Sequence, residues 1–215
     1  MVVSSFLELG VKTERTKRIL ELAHETGALL YGEFTLASGK KSDHYFEGKR
    51  LTLSPEGAYQ VGKAVFDELA EIDVEAIGGL AMGAFPMITA VALVSHQEGK
   101  PIPSFIVREQ PKEHGTQRKI EGHFKEGSRV AIVDDVITTG GSVRKAIEAV
   151  EAANCKVVKV IVLVDRHEGG SDQLKNEGYD FTAIIDLWPS GEASVSESSE
   201  VVGEVRTGVL RRQPL

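Results

Sequence analysis

The alternation of apolar and polar positions along the chain predicts helices and strands that follow one another in turn. Apolar residues recur at helical spacing in four segments, 13–26, 55–71, 83–95 and 142–153. Short apolar runs rich in β-branched residues predict strands at 29–36, 44–47, 76–79, 104–108, 129–133, 157–164 and 180–187. This alternation predicts an α/β fold with an open, mostly parallel sheet flanked by helices.

Two segments do not follow the alternation. Residues 109–125 are polar and contain Gly115 and Gly122, and the segment beyond Ser190 is rich in serine and glutamate. We therefore expect a single domain over residues 1–190 and a C-terminal tail over 191–215 that is partly ordered at best.

Composition is typical of a globular protein of 215 residues, with 41% hydrophobic and 27% charged residues. The formal net charge of −7 offers no general attraction to nucleic acid or to an anionic membrane. We therefore expect neither as a partner.

The N-terminal segment carries acids and lacks the long apolar run of a signal peptide. The chain contains one cysteine, Cys155, so it cannot form an intramolecular disulfide. Both features lead us to expect a cytoplasmic protein.

Candidate chemistry concentrates in the segment Val130–Ser142, which reads VAIVDDVITTGGS. A buried run precedes two carboxylates, Asp134 and Asp135, and a loop of small residues then opens a helix. Backbone N–H groups at such a helix start can hold a phosphate. In an open α/β sheet, ligands bind beyond the carboxyl ends of the strands, where this segment lies.

Two familiar phosphate-binding motifs are excluded by the residues themselves. The chain has no GxGxxG, and the segment TTGGSV lacks the lysine of a P-loop. Carboxylates that precede the loop suit the vicinal hydroxyls of a ribose and a hydrated Mg²⁺. The alternative is a purely structural role, in which a strand-end aspartate caps the helix beside a glycine turn.

The same segment resembles the phosphoribosyl pyrophosphate motif of type I phosphoribosyltransferases. Three further segments resemble the orotate branch of that family: GEFTLASGKKSDHYF at 32–46, VREQPKEHGTQRKIEG at 107–122 and DRHEGG at 165–170. The resemblance covers roughly residues 15–190. It implies a Rossmann-like sheet with a small N-terminal hood and a flexible lid loop.

The resemblance also implies a reaction, the transfer of ribose 5-phosphate from phosphoribosyl pyrophosphate to N1 of orotate. Asp134 and Asp135 would hold the ribose hydroxyls and act as catalytic residues. The segment that follows would bind substrate, with Thr138–Ser142 on the 5-phosphate: Val136, Ile137, Thr138, Thr139, Gly140, Gly141 and Ser142. Mg²⁺ would be held mainly by substrate and water near Asp134, without a direct protein ligand.

The irregular segment at 109–125 then has a function as a lid. Arg108, Lys112 and His114 belong to a cationic cluster with Arg118 and Lys119. In the family, the equivalents of the first three bind pyrophosphate, Lys112 would be catalytic, and the loop reaches across a homodimer interface. Taken alone, each of these charges could equally be a solvated loop residue.

Arg166 follows a predicted buried strand and could pair with the orotate carboxylate through two hydrogen bonds. Thr138 would add a hydroxyl contact, as in the family. The alternative for Arg166 is an ion pair at a strand end. Tyr45 and Phe46 resemble aromatic residues beside the base, although an aromatic pair on a strand is more often core.

The chain departs from the usual residues of the family at Ala37, His44, Phe85 and Glu109. Glu109 stands where a lysine is common and places an anion near the pyrophosphate. Two other functions stay open: transfer to a different base, and a non-catalytic regulator that senses phosphoribosyl pyrophosphate.

Overall fold

The computed structural model describes residues 2–35, 41–110 and 119–195, with side chains from residue 13 onward. The helices of this part are α1 (Val2–Glu25), α2 (Gly48–Thr52), α3 (Pro55–Glu68), α4 (Ala84–Gln97), α5 (Gly141–Glu151) and α6 (Gly170–Asn176). The strands are β1 (Leu29–Thr35), β2 (Lys41–Phe46), β3 (Ala76–Leu80), β4 (Ser104–Val107), β5 (Ile120–Gly122), β6 (Arg129–Ile137), β7 (Lys156–Asp165), β8 (Phe181–Leu187) and β9 (Ala193–Val195). None of these helices is long and apolar enough to cross a membrane.

The main sheet has seven strands in the order β5-β4-β3-β6-β7-β8-β9. Its five inner strands are parallel, and the two edge strands, β5 and β9, run antiparallel to their neighbours. The predicted open, mostly parallel sheet is therefore confirmed. β6 lies at its centre, so the acidic pair and the glycine loop stand at the middle of the carboxyl edge.

Helices cover both faces of the sheet. On one face, Met87 and Val91 of α4 pack in a core with residues of α1 and α3. On the other face, Val143 and Ile147 of α5 pack in a second core together with Leu174 of α6. Because both faces are buried, β6 and β7 read as continuous apolar runs rather than as alternating ones.

The hairpin β1–β2 forms a separate two-stranded antiparallel sheet, which corresponds to the expected N-terminal hood. Its open end joins the first core, because Leu29 and Phe46 are buried there with Ile19. The backbone N–H of Glu47 donates to the carbonyl of Ala28 at 2.8 Å, which continues the pairing of the two strands at this end.

The strand predicted at 129–133 continues to Ile137, so both carboxylates lie within β6 and not after it. Aspartate is rare in strands, so the prediction from the apolar pattern ended the strand before Asp134. Residues 120–122, predicted as part of an irregular segment, form β5 on β4. The sheet also extends past Ser190, because β9 lies inside the segment assigned to the tail. Both are short edge strands of half-buried or exposed residues, which leave no periodic signal.

Candidate active site

The two carboxylates of β6 lie side by side at the carboxyl edge of the sheet. Asp134 is 5% exposed, and its Oδ1 accepts a 3.0 Å hydrogen bond from the backbone N–H of Asp135. Two glycines allow the chain to approach them closely. A Cβ on Gly48 would lie 2.7 Å from Asp135 Oδ2, and one on Gly83 would lie 2.7 Å from Asp134 Oδ1.

Burial raises the pKa of Asp134 to about 7, and the adjacent Asp135 carboxylate acts in the same direction. Burial also raises the pKa of Asp135, against the opposing effect of the Lys49 ammonium. Two carboxylates in this setting gain stability from hydrogen-bond donors or from positive charge. A ligand that brings hydroxyl groups or a cation meets this need.

The glycine loop connects β6 to α5. Gly140 has φ 82°, a left-handed conformation that glycine adopts without strain, and it precedes the first residue of the helix. Among the described residues, no side chain caps the helix and nothing lies within 4 Å of the Cβ position of Gly141. The start of a helix carries N–H groups without intrahelical partners, an arrangement suited to a phosphate.

The structure divides the predicted substrate-binding segment into two parts. Val136 is half-buried against the first core, and Ile137 is 1% exposed in the second, so these side chains serve packing. Thr139, Gly141 and Ser142 are exposed at the loop, whereas Thr138 is half-buried.

Arg166 lines a cleft of about 760 Å³ at the same edge of the sheet. The other lining residues come from the hairpin, the loop after β7 and the loop after β8: Glu33, Lys41, Ser42, Asp43, His44, Glu168 and Pro189. The Arg166 side chain is 11% exposed, and its Nε lies 3.4 Å from Glu168 Oε1. That Nε has no hydrogen-bond partner within the described ranges. Arg166 thus faces the cleft with a buried Nε, and the ion pair with Glu168 is also the contact that the alternative of a strand-end ion pair expects.

Two backbone hydrogen bonds join the Arg166 loop to the glycine loop. The N–H of Arg166 donates to the carbonyl of Ile137 at 3.1 Å, and the N–H of Gly170 donates to the carbonyl of Thr138 at 2.9 Å. A Cβ on Gly170 would lie 2.6 Å from Gly140 N, so only glycine fits between the loops. The phosphate-binding loop and the cleft are therefore parts of one site.

Arg108 begins the predicted lid, directly after β4. Its N–H donates to the carbonyl of Lys119 at 2.8 Å, and its Nη1 lies 3.5 Å from Glu121 Oε1. Its buried Nε also lacks a hydrogen-bond partner in the part of the chain that the structure describes. Lys112 and His114, like Arg118, lie outside the described residues.

Glu109 makes a contact that its sequence position did not indicate. Its carboxylate accepts a 2.8 Å hydrogen bond from Lys145 Nζ on α5, and this bond lowers the pKa of Glu109. The anion that replaces the usual lysine is thus paired with a cation on the helix that follows the glycine loop.

The hairpin contributes different residues from those predicted. Phe46 is part of the first core, which was the alternative to a position beside the base. Tyr45 contacts Phe34, with ring centroids 5.6 Å apart. His44 is among the hairpin residues that line the cleft, and its Nδ1 lies 2.7 Å from Asp43 Oδ1. Neither His44 nor Lys49 is near the acidic pair in sequence, so only the fold could reveal their place.

Comparison with known proteins agrees with this geometry. A family model described as phosphoribosyl transferase domain matches residues 55–196. An orotate phosphoribosyltransferase of Aquifex aeolicus is 41% identical over 171 residues, which is 80% of this chain and 90% of that protein.

Solved structures are similar as well. The orotate phosphoribosyltransferase of Mycobacterium tuberculosis in complex with Fe(III) dicitrate has a TM-score of 0.70 at 34% identity, over 82% of this chain and 96% of that one. A structure of the same enzyme in complex with 5-phospho-α-D-ribosyl 1-diphosphate has a TM-score of 0.64 at 28% identity, over 82% and 89% of the two chains.

Proposed function

The chain belongs to the phosphoribosyl transferase family, and we propose that it transfers the 5-phosphoribosyl group of phosphoribosyl pyrophosphate to orotate. The products are orotidine 5-monophosphate and pyrophosphate, in the synthesis of UMP. One observation carries the proposal. The backbone N–H of Arg166 donates to the carbonyl of Ile137, so Arg166, with its buried Nε, lies beside the strand that bears the acidic pair.

The donor occupies the glycine loop and the acidic pair. Its 5-phosphate accepts hydrogen bonds from the N–H groups at the start of α5, with Thr138–Ser142 around it. The ribose hydroxyls donate to Asp134 and Asp135, which relieves the unfavourable burial of these carboxylates.

The acceptor lies in the cleft with its carboxylate on Arg166. A carboxylate supplies the acceptor that the buried Nε lacks, and a bidentate pair fixes the orientation of the ring. The hydroxyl of Thr138 adds a second contact. A purine carries no carboxylate, so this arrangement favours orotate over the other base substrates.

In the reaction, the bond from C1 of the ribose to the pyrophosphate oxygen breaks, a bond from C1 to N1 of orotate forms, and the proton of N1 ends on the released pyrophosphate. Positive charge develops on the ribose ring, and the carboxylates of Asp134 and Asp135 stabilise it. The cations of the lid, Arg108, Lys112 and His114, receive the negative charge of the pyrophosphate. Closure of the lid excludes water, which would otherwise attack the activated ribose.

Mg²⁺ fits the chemistry of this site, because two buried carboxylates, whose oxygens are the ligands that this ion prefers, are held together there. Asp134 and Asp135 would hold it through water and substrate. When bound, the ion supplies charge neutralisation to the pyrophosphate.

The active form is a homodimer in which the lid of one subunit serves the other. Exposed apolar side chains support this assembly. Phe85 and Leu93 stand two turns apart on α4, are 48% and 61% exposed, and follow the exposed Met82 beside the acidic pair. Such a stripe on a helix is typical of a covered surface. The protein acts in the cytoplasm, where its single cysteine stays reduced.

The proposal is tested by incubating the purified protein with phosphoribosyl pyrophosphate, Mg²⁺ and a panel of acceptors: orotate, uracil, adenine and hypoxanthine. Of these four acceptors, only orotate is expected to cause rapid release of pyrophosphate from the donor. Release with a purine and not with orotate would assign a different base. Tight donor binding without any transfer would instead favour the sensing regulator.

A further inference from the structure

His167, the residue after Arg166, is held in place from several directions. Its Nε2 lies 2.9 Å from Asp186 Oδ1, and its backbone N–H donates to Asp165 Oδ1 at 2.8 Å. Its ring is stacked on that of Trp188, with centroids 3.7 Å apart and an interplanar angle of 1°.

Asp165 and Asp186 occupy paired positions at the ends of β7 and β8. Two carboxylates at neighbouring positions repel each other unless a donor lies between them. His167 supplies a donor to each of them, since its backbone N–H donates to Asp165 and its ring Nε2 donates to Asp186, while Nδ1 lies 3.8 Å from Asp165 Oδ2. The three side chains are thus paired among themselves, and none of the reaction chemistry above involves them.

The backbone at His167 has φ 52°, in the left-handed region that residues other than glycine adopt infrequently, although histidine does so more often than most. The hydrogen bonds and the ring contact of His167 hold it in this conformation. Its two chain neighbours, Arg166 and Glu168, line the cleft. The contacts that fix the backbone at His167 therefore also fix the chain positions from which these two side chains start.

The stack also connects two walls of the cleft. Trp188 is fixed by the β8–β9 turn, where its N–H donates to the carbonyl of Glu192 at 2.8 Å, and Pro189 after it lines the cleft. A ring pair between Trp188 and His167 sets the separation of this wall from the Arg166 loop.

We propose that His167 is a positioning residue for the acceptor: its contacts with Asp165, Asp186 and Trp188 hold Arg166 at the orientation that the acceptor carboxylate requires. This inference rests on the proposed function. The inference goes beyond the proposed function, because it makes the affinity for the acceptor depend on a side chain that does not touch the substrate.

The test compares three variants with the wild type. His167→Gly keeps the left-handed backbone without strain and removes the side chain. His167→Gln keeps a nitrogen that can reach Asp186. His123→Gln, at an exposed position, is the matched control. Each is measured for the KM of orotate, the Kd of phosphoribosyl pyrophosphate and the midpoint of unfolding.

We expect His167→Gly to raise the KM of orotate about 10- to 100-fold, because a small displacement of a positioning group has effects of this size. The Kd of the donor stays near the wild-type value, whereas the unfolding midpoint falls, because Asp186 and Trp188 lose the partner that His167 supplies. His167→Gln recovers part of the loss, and His123→Gln behaves as wild type. Trp188 is the single tryptophan of the chain, so its emission reports loss of the stack directly.

An unchanged KM of orotate in His167→Gly overturns this inference alone. A loss of donor affinity as large as the loss of orotate affinity in that variant also overturns it, because the effect would then not be specific to the acceptor. Absence of orotate turnover in the wild type overturns both the inference and the proposed function.

Discussion

The backbone N–H of Gly170 donates to the carbonyl of Thr138 at 2.9 Å, and the two residues belong to the two loops that form the site. The Gly170 Cα is also the nearest atom to a Cβ built on Gly140, at 3.5 Å. Contact between these loops couples the position of the phosphate to the position of the acceptor.

Replacement of Gly170 by alanine is expected to disturb both substrates at once. The added Cβ would lie 2.5 Å from the Thr138 carbonyl oxygen, so the loops must separate. We expect a loss of about 1–3 kcal/mol in the free energy of unfolding, as for other overpacked sites. Urea unfolding and the KM values of both substrates check this. Gly141→Ala, where the Cβ meets open space, should leave stability unchanged, and a Gly170→Ala protein of wild-type stability would contradict the account.

The acidic pair predicts a pH-dependent stability. The pKa of Asp134 is about 7 in the folded protein and ordinarily 3.8, so the folded state keeps a proton that the unfolded state has lost between these values. The contribution of Asp134 to the free energy of unfolding therefore falls as pH rises from about 4 to 7, and levels off above 7.

Asp134→Asn removes this contribution, so its free energy of unfolding should gain about 4 kcal/mol relative to the wild type between pH 4 and 7, at about 1.4 kcal/mol per pKa unit. Urea unfolding at a series of pH values measures the difference. Asp172→Asn, at an exposed position on α6, is the control and should show no such slope. If the difference in the free energy of unfolding between Asp134→Asn and the wild type does not change with pH over this range, the raised pKa of the buried Asp134 carboxyl is contradicted.

Much of the site could be predicted because it depends on residues that are consecutive in the chain. The acidic pair lies in the last part of a buried strand, the glycine loop and Arg166 each follow one, and parallel strands bring their carboxyl ends to one edge. The partners that lie far away in sequence could not be predicted in this way. Lys49 reaches the acidic pair, and Asp186 reaches His167, only through the fold. Glu109 was interpreted from its place in the lid, whereas its contact is with Lys145 of α5.

The Glu109–Lys145 pair predicts an effect of charge on donor binding. Glu109→Gln removes an anion and releases a cation beside the glycine loop. We expect the Kd of phosphoribosyl pyrophosphate to fall a few-fold at low ionic strength, and the gain to vanish at high salt. Calorimetric titration at two salt concentrations measures it. Glu148→Gln makes the same charge change on an exposed position of α5. An equal gain in that variant would mean that the position of Glu109 has no special role.

The proposed dimer predicts complementation between subunits. Lys112→Ala is expected to lower turnover strongly with the fold intact. Asp134→Asn should also lower turnover, through the part of the site that the other subunit contributes. A mixture of the two variants should regain activity, because hybrid dimers contain one site with both residues. Leu93→Glu, which places a charge on the exposed stripe of α4, should give a monomer in size-exclusion chromatography and abolish the regain. An inactive mixture of the two variants in a confirmed dimer would show that the lid serves its own subunit.

The central claim is that the Arg166 guanidinium selects an acceptor by its carboxylate, and the kcat/KM for orotate relative to uracil tests it most directly. Arg166→Gln should lower this value for orotate about 100-fold or more, since a buried charge pair loses one partner, and leave uracil unaffected. Arg144→Gln, on the outer face of α5, should match the wild type. If the ratio of kcat/KM for orotate to kcat/KM for uracil is the same in Arg166→Gln as in the wild type, the account is contradicted.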